Sequence, residues 1–217
     1  SFYKVFTIFV MGEITVTSVL IKKAISYGIQ LVLMNHNFSV YAVIGGETEG
    51  NFLLRKKQYT FDDNLNLSKI FIQNKIVNQR DLLRKLRKKT ETQKETMKQL
   101  SILAKKVEAC AEAQSILGLE GNASKIFFGA YFETLNWHGR KPRTKFDEIN
   151  TLLDIGYTYL FHFIDAHLRL YGFDTYQGIF HTNFYQRKSL VCDIMEPFRC
   201  IIDEAVLKAH NLGQIDY

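Results

Sequence analysis

Three side chains suited to metal or proton chemistry lie close together in one stretch of this 217-residue chain. His181 closes the run Gly178-Ile179-Phe180-His181. Asp193 and Glu196 follow in Leu190-Val191-Cys192-Asp193-Ile194-Met195-Glu196-Pro197-Phe198-Arg199. The two acids are three apart, so on a helix they share a face, with Cβ atoms about 5–6 Å apart. Carboxylates that close repel unless a proton or a cation sits between them. A divalent ion is the simplest answer, and His181 would be its third ligand.

Glu120, in Gly118-Leu119-Glu120-Gly121-Asn122-Ala123, joins this set. It falls just before or within the first turn of a helix, where a carboxylate also serves as a cap answering the helix dipole. With His181, Glu196 and nearby Asp193 it makes an oxygen-rich set carrying one nitrogen, suited to Mg²⁺ or Mn²⁺. The nitrogen tilts the choice towards Mn²⁺ and leaves zinc open.

The elements that must position these groups change character along the chain. Residues 1 to about 60 read as a small β-rich domain with one helix. Tyr3 to Met11 is an aromatic, β-branched strand run, and Val16 to Tyr27 a short helix that Gly28 ends. Ile29–Met34 and Phe38–Ile44 are strands around the turn Asn35-His36-Asn37. The chain opens inside a strand-like run without Met, so this domain is read as truncated at its start. After the polar hinge Asp62-Asp63-Asn64, residues 65–117 contain neither proline nor glycine and are dominated by helix formers. Residues 61–217 therefore form a larger all-α domain. It has two or three helices before Gly118, an aromatic helix over Asn122–Leu135, a long helix over Asp147–Tyr171 and a final helix from about Ser189 to His210. Pro197 predicts a kink or restart near Glu196. The fold class is α+β.

Composition bounds the function. The net charge of +6 and the sequence pI near 9.1 favour a polyanionic partner. No apolar run reaches the roughly 18–20 residues of a membrane span. Cys110, Cys192 and Cys200 show neither a paired framework nor metal-ligand spacing, and read as reduced thiols of a cytoplasmic protein. The cluster Arg84–Lys89 is best taken as a solvated helix face. The loop Arg140-Lys141-Pro142-Arg143-Thr144-Lys145, beside Trp137 and His138, reads equally as a clamp on a nucleic-acid backbone and as an ordinary basic turn. His162, Asp165 and His167 on the long helix sit among apolar neighbours and read as structural.

Together these motifs closely resemble the CRISPR-associated integrases, the catalytic subunits of the spacer-acquisition complex. That family has a Leu-Glu-Gly glutamate, here Leu119-Glu120-Gly121. It has a Gly-x-Asp-x-x-x-Gly-x-x-His loop, here from Gly172 to His181. It has a Ser-Leu-x-x-Asp-x-Met-Glu-Pro-Phe-Arg helix, here Ser189 to Arg199, followed by Asp203. Asp147, Asn150 and Gly156-Tyr157 match a further family helix. Gly12-Glu13-Ile14-Thr15, Gly28 to Val32, and Asn51 to Arg55 with Gln58 resemble the sheet domain and its junction. Glu148 stands where the family usually has a proline, and Thr144-Lys145 where it often has two.

The resemblance implies a prokaryotic, metal-dependent DNA integrase and endonuclease. A short duplex's 3′-hydroxyl would attack a phosphodiester of the CRISPR repeat by transesterification. It implies Glu120, His181 and Glu196 as metal ligands, with Asp193 orienting His181 or adding a ligand. Arg140, Arg143, Lys145, Arg187 and Arg199 are the candidate phosphate contacts, and Tyr157 is a candidate for stacking or active-site support. The resemblance also implies a homodimer made through the sheet domain, with two dimers flanking a dimer of a small partner, CRISPR-associated protein two. A non-catalytic DNA-binding scaffold and a general metal nuclease are the competing readings.

Overall fold

The computed structural model describes residues 2–45, 50–135, 137–144 and 146–215. It bears out the α+β class: a small three-stranded sheet near the start of the chain, then mostly helices. Contacts divide it into two compact units. The first takes residues 1–62, 158–178 and 182–192; the second takes 63–157, 179–181 and 193–217.

In the first unit the sheet runs in the order β1 (Thr7–Met11), β2 (Gln30–Met34), β3 (Val40–Ile44). β1 and β2 are parallel, so a crossover must join them, and α1 (Ser18–Ser26) supplies it. β2 and β3 are antiparallel across the short 35–39 turn. The central position of β2 explains its nearly unbroken apolar composition, since both its faces are covered. Thr17 caps α1 through its hydroxyl, and Gly28, at φ 68°, takes the left-handed conformation that ends it. The residues before β1 differ from expectation. Phe2–Lys4 form a 3-10 turn, and the strand begins only at Thr7.

A helix that the sequence pattern did not announce, α2 (Phe52–Tyr59), has no buried residue and is held by polar contacts. Asn51 Nδ2 donates to the Tyr171 carbonyl and Arg55 Nε to the Gly172 carbonyl, each at 3.1 Å. The Gln58 amide donates to the Asp174 carbonyl at 2.7 Å and accepts from the Asp174 N–H at 3.0 Å. The residues matched to the family's junction thus fix the loop that leads towards Gly178.

In the second unit, α3 (Asn64–Lys85), α4 (Glu91–Glu108) and α5 (Ala113–Tyr131) pack on one another around a core that includes Ile72, Leu100, Ile116 and Phe127. A reciprocal capping box between Thr90 and Gln93 starts α4. α5 corrects the sequence reading. It runs through Gly118 and Gly121 rather than starting after them, so Glu120 lies in the helix interior and not at its first turn. Gly118 and Gly121 cost roughly 1–2 kcal/mol together. Burial of Ile116, Ala123, Phe127 and Ala130 offsets that.

α6 (Glu148–Leu170) contributes its start to this unit. After it come α7 (Ser189–Met195), a 3-10 turn over Glu196–Phe198, and α8 (Arg199–Asn211). The expected break therefore falls at Glu196. Pro197 cannot donate to the preceding turn, and Asn78 Nδ2 donates to its carbonyl at 2.8 Å. Among the described residues no helix is long and apolar enough to cross a membrane.

Candidate active site

The centre of the site is a residue that the sequence reading passed over. Lys75 lies on the inward stripe of α3 with Ser68, Ile72, Ile76, Gln79, Leu82 and Leu83, and is only 6% exposed. A lysine so buried needs anionic partners. Its Nζ donates to Glu120 Oε1 of α5 and lies 2.7 Å from Glu196 Oε2. Ser124 Oγ also donates to Glu120 Oε1, at 3.0 Å. Arg199 Nε lies 2.9 Å from the same Glu196 oxygen. The two contacts to Glu196 are close ion pairs without hydrogen-bond alignment. Burial disfavours the charged form of Glu196, but Lys75 and Arg199 outweigh it and hold the carboxyl at about 2.

The two acids three apart do not share a partner. Asp193 belongs to α7, while Glu196 has entered the 3-10 turn. The Asp193 carboxylate, fully buried, accepts the backbone N–H groups of Ile179, Phe180 and His181 at 2.6, 3.1 and 2.9 Å. It also binds His181 Nδ1 at 2.6 Å. Their repulsion is thus answered by separate partners rather than by one shared ion. With Nδ1–H given to the carboxylate, the neutral imidazole keeps its lone pair on Nε2. Among the described residues, no three His, Cys, Asp or Glu side chains are gathered into a ready ion site. The structure brings Glu120 and Glu196 together, and His181 with Asp193, as two pairs.

A second buried cluster lies in the same unit. Tyr157 donates its hydroxyl to Asp203 Oδ1 at 2.5 Å, and its ring lies under the Arg199 guanidinium at 4.7 Å and that of Arg140 at 5.4 Å. Burial pushes the Asp203 carboxyl up to about 7, despite the Tyr157 hydrogen bond and nearby cations. Burial also pushes the Tyr157 phenol well above its usual value. Tyr157 is an internal residue, with no ring face open to a base.

The expected DNA contacts divide. Arg140 turns inward, to Asn150 Oδ1 at 3.0 Å and Asp154 Oδ1 at 2.5 Å. Arg199 is committed to Glu196 and Tyr157. Arg143 and Arg187 are exposed. Lys145 lies outside the described residues. The loop is pinned rather than open: Trp137 packs on Phe132 at 5.0 Å and its Nε1 donates to Asp147. In the first unit, Asp165 is buried and paired with Lys188 at 2.7 Å, as the structural reading of that cluster expected.

Comparison with known proteins shows the family. The family model described as CRISPR associated protein Cas1 matches residues 1–217. A CRISPR-associated endonuclease Cas1 of Thermodesulfovibrio yellowstonii is 30% identical over 96% of this chain and 70% of its own length. The chain spans 65–70% of the length of the first curated relatives it matches. A chain of a Cas6-RT-Cas1–Cas2 complex shares the fold with a TM-score of 0.79, at 24% identity over 97% of this chain and 24% of its own. A casposase bound to integration product does so with a TM-score of 0.77, at 22% identity over 92% of this chain and 58% of its own. A match across the whole chain, carried by a sequence whose Glu120, His181 and Glu196 sit in the expected motifs, has one consequence: the chain belongs to the Cas1 family of CRISPR-associated proteins.

Proposed function

We propose that this protein is a metal-dependent DNA endonuclease and integrase of CRISPR adaptation, joining 3′-hydroxyl ends of short duplexes to the CRISPR repeat. The observation that carries the reading is the convergence of Glu120 and Glu196 on one cation-holding position. The Lys75 ammonium there is a stand-in ion, and the oxygen donors around it fit a hard divalent cation, Mg²⁺ or Mn²⁺. Glu120 and Glu196 would hold that ion, and His181 would complete the set through Nε2. When bound, the ion supplies Lewis-acid neutralisation of phosphate charge.

The remaining work falls to the chain. Asp193 fixes the His181 ring and the loop that carries it. Exposed Arg143 and Arg187, with the surplus of positive charge, hold phosphates. In the joining step an O–P bond forms from the attacking 3′-hydroxyl as the bond to the repeat's own 3′-oxygen breaks. The proton lost by the first oxygen is matched by one gained by the second. The Cas6-RT-Cas1–Cas2 complex, one chain of which has this fold, and the product-bound casposase support DNA and Cas2 as partners, and we take Cas2 to act as a dimer. We extend the reading to a homodimer made through the sheet-bearing unit.

The internal ammonium also favours a second reading, a DNA-binding scaffold whose acidic pair is permanently neutralised. One experiment separates the two. Purified protein is mixed with a 3′-hydroxyl duplex and a CRISPR-array plasmid, with Mn²⁺ or Mg²⁺ and with and without Cas2, beside Glu196→Ala. Covalently joined DNA that is absent with Glu196→Ala supports the integrase. DNA binding without any joining, with Cas2 present, leaves the scaffold; cutting of branched DNA without joining points instead to a general nuclease.

A further inference from the structure

The contacts to the acidic pair gather on one side of it. Lys75 and Ser124 meet Glu120 at Oε1; Lys75 and Arg199 meet Glu196 at Oε2. Two carboxylates, one ammonium and one guanidinium sum to zero charge. A divalent ion added to this buried set would leave an excess of two positive charges. Such an excess is costly where water is largely excluded. A DNA phosphate brought alongside would reduce it.

Resting on the metal reading above, we propose that Lys75 is the resident cation of the Glu120–Glu196 pair, so that the DNA-free protein holds a divalent ion weakly and DNA makes its binding firm. Lys75 is a positioning residue: it touches the carboxylates and not the reacting atoms. Its ammonium ends a flexible four-carbon stem, so it can give up the contact while α3 stays in place. The device ties ion loading to the arrival of DNA.

The test is a Mn²⁺ titration followed by the magnetic resonance of free Mn²⁺. It uses wild type, Lys75→Met and Lys75→Arg, each with and without a short 3′-hydroxyl duplex. Without DNA, Lys75→Met is expected to bind Mn²⁺ about tenfold more tightly than wild type, and Lys75→Arg to resemble wild type. DNA is expected to tighten Mn²⁺ binding by wild type about tenfold, and by Lys75→Met far less. Equal or weaker binding by folded, DNA-free Lys75→Met overturns the proposal. Should that variant fail to fold by circular dichroism, the wild-type comparison decides, and absence of coupling between DNA and Mn²⁺ overturns it. If wild type binds no more Mn²⁺ than Glu196→Ala even with DNA, the metal reading itself falls, and this inference with it.

Discussion

Asp193 holds the His181 ring at 2.6 Å while gripping three successive backbone N–H groups of the loop that presents it. One carboxylate therefore sets both the position and the tautomer of the imidazole. Asp193→Asn keeps the shape but loses the charge and one acceptor. DNA joining is expected to fall about 10–100-fold with DNA affinity nearly unchanged. Asp193→Ala leaves buried donors unmade and should cost about 2–4 kcal/mol in denaturant unfolding. Full joining activity in Asp193→Asn would remove the positioning role.

Glu196 makes stability sensitive to acid. Its folded carboxyl, at about 2, lies below the ordinary value of 4.5. The stabilisation is thus present above about pH 4.5 and lost as pH falls towards 2. It amounts to roughly 3 kcal/mol at most. Glu196→Gln should flatten the stability curve across that window, as read by urea unfolding at a series of pH values.

Asp203 tilts the same curve the other way. Its carboxyl, at about 7 when folded, lies above the ordinary 3.8. The folded state then binds the proton more tightly, and the associated stability is present below about pH 4 and lost as pH rises to 7. Asp203→Asn keeps an acceptor for the Tyr157 hydroxyl and should remove this decline. A wild-type curve flat between pH 4 and 7, superposing on that of the variant, would contradict the assignment.

The two arginines of the loop at 140–143 should separate on substitution. Arg140→Ala loses Asn150, Asp154 and the Tyr157 face, and is expected to lower stability by about 1–3 kcal/mol. Arg143→Ala should leave stability unchanged, weaken DNA binding and reduce the salt slope by about one. Thermal unfolding together with DNA titration at several salt concentrations reads both effects.

Gly156 is a packing requirement. A Cβ there would collide with the Ile202 side chain of α8. Gly156→Ala should cost about 1–3 kcal/mol. Ile202→Ala placed in the same chain should recover part of that loss if the collision is the cause.

Much of this was legible because the chemistry is local. The break at Pro197 and the ending of α1 at Gly28 follow from backbone rules that act within a few residues, whereas helix begins at Phe52, ahead of the boundary read near residue 60. Glu120 was misplaced at a helix start because two glycines mimic a terminus when the packing of Phe127 and Ala130 is unseen. α2 was missed because its stabilising contacts are polar and about 115–120 residues away. Lys75 had a signal that went unread: a cation on the same helical stripe as Ile72, Ile76, Gln79 and Leu83. The inward turn of Arg140 was not legible because its acceptors, the Asp154 carboxylate and the Asn150 amide, are brought to it by the fold of the chain itself.

The span between Lys75 and its acidic partners has a consequence for how the molecule comes into being. Glu120 is 45 residues downstream of Lys75, while Glu196 arrives only with the turn that precedes α8. During synthesis α3, α4 and α5 can meet one another first, with half of the carboxylate pair, while the face of α3 that packs on the 196–198 turn and α8 waits for the rest of the chain. The second carboxylate docks after the interval 121–195 has been made and folded. A ribosome-bound intermediate therefore carries Lys75 and Glu120 but not yet Glu196. The order of synthesis thus sets the order in which the two carboxylates meet Lys75.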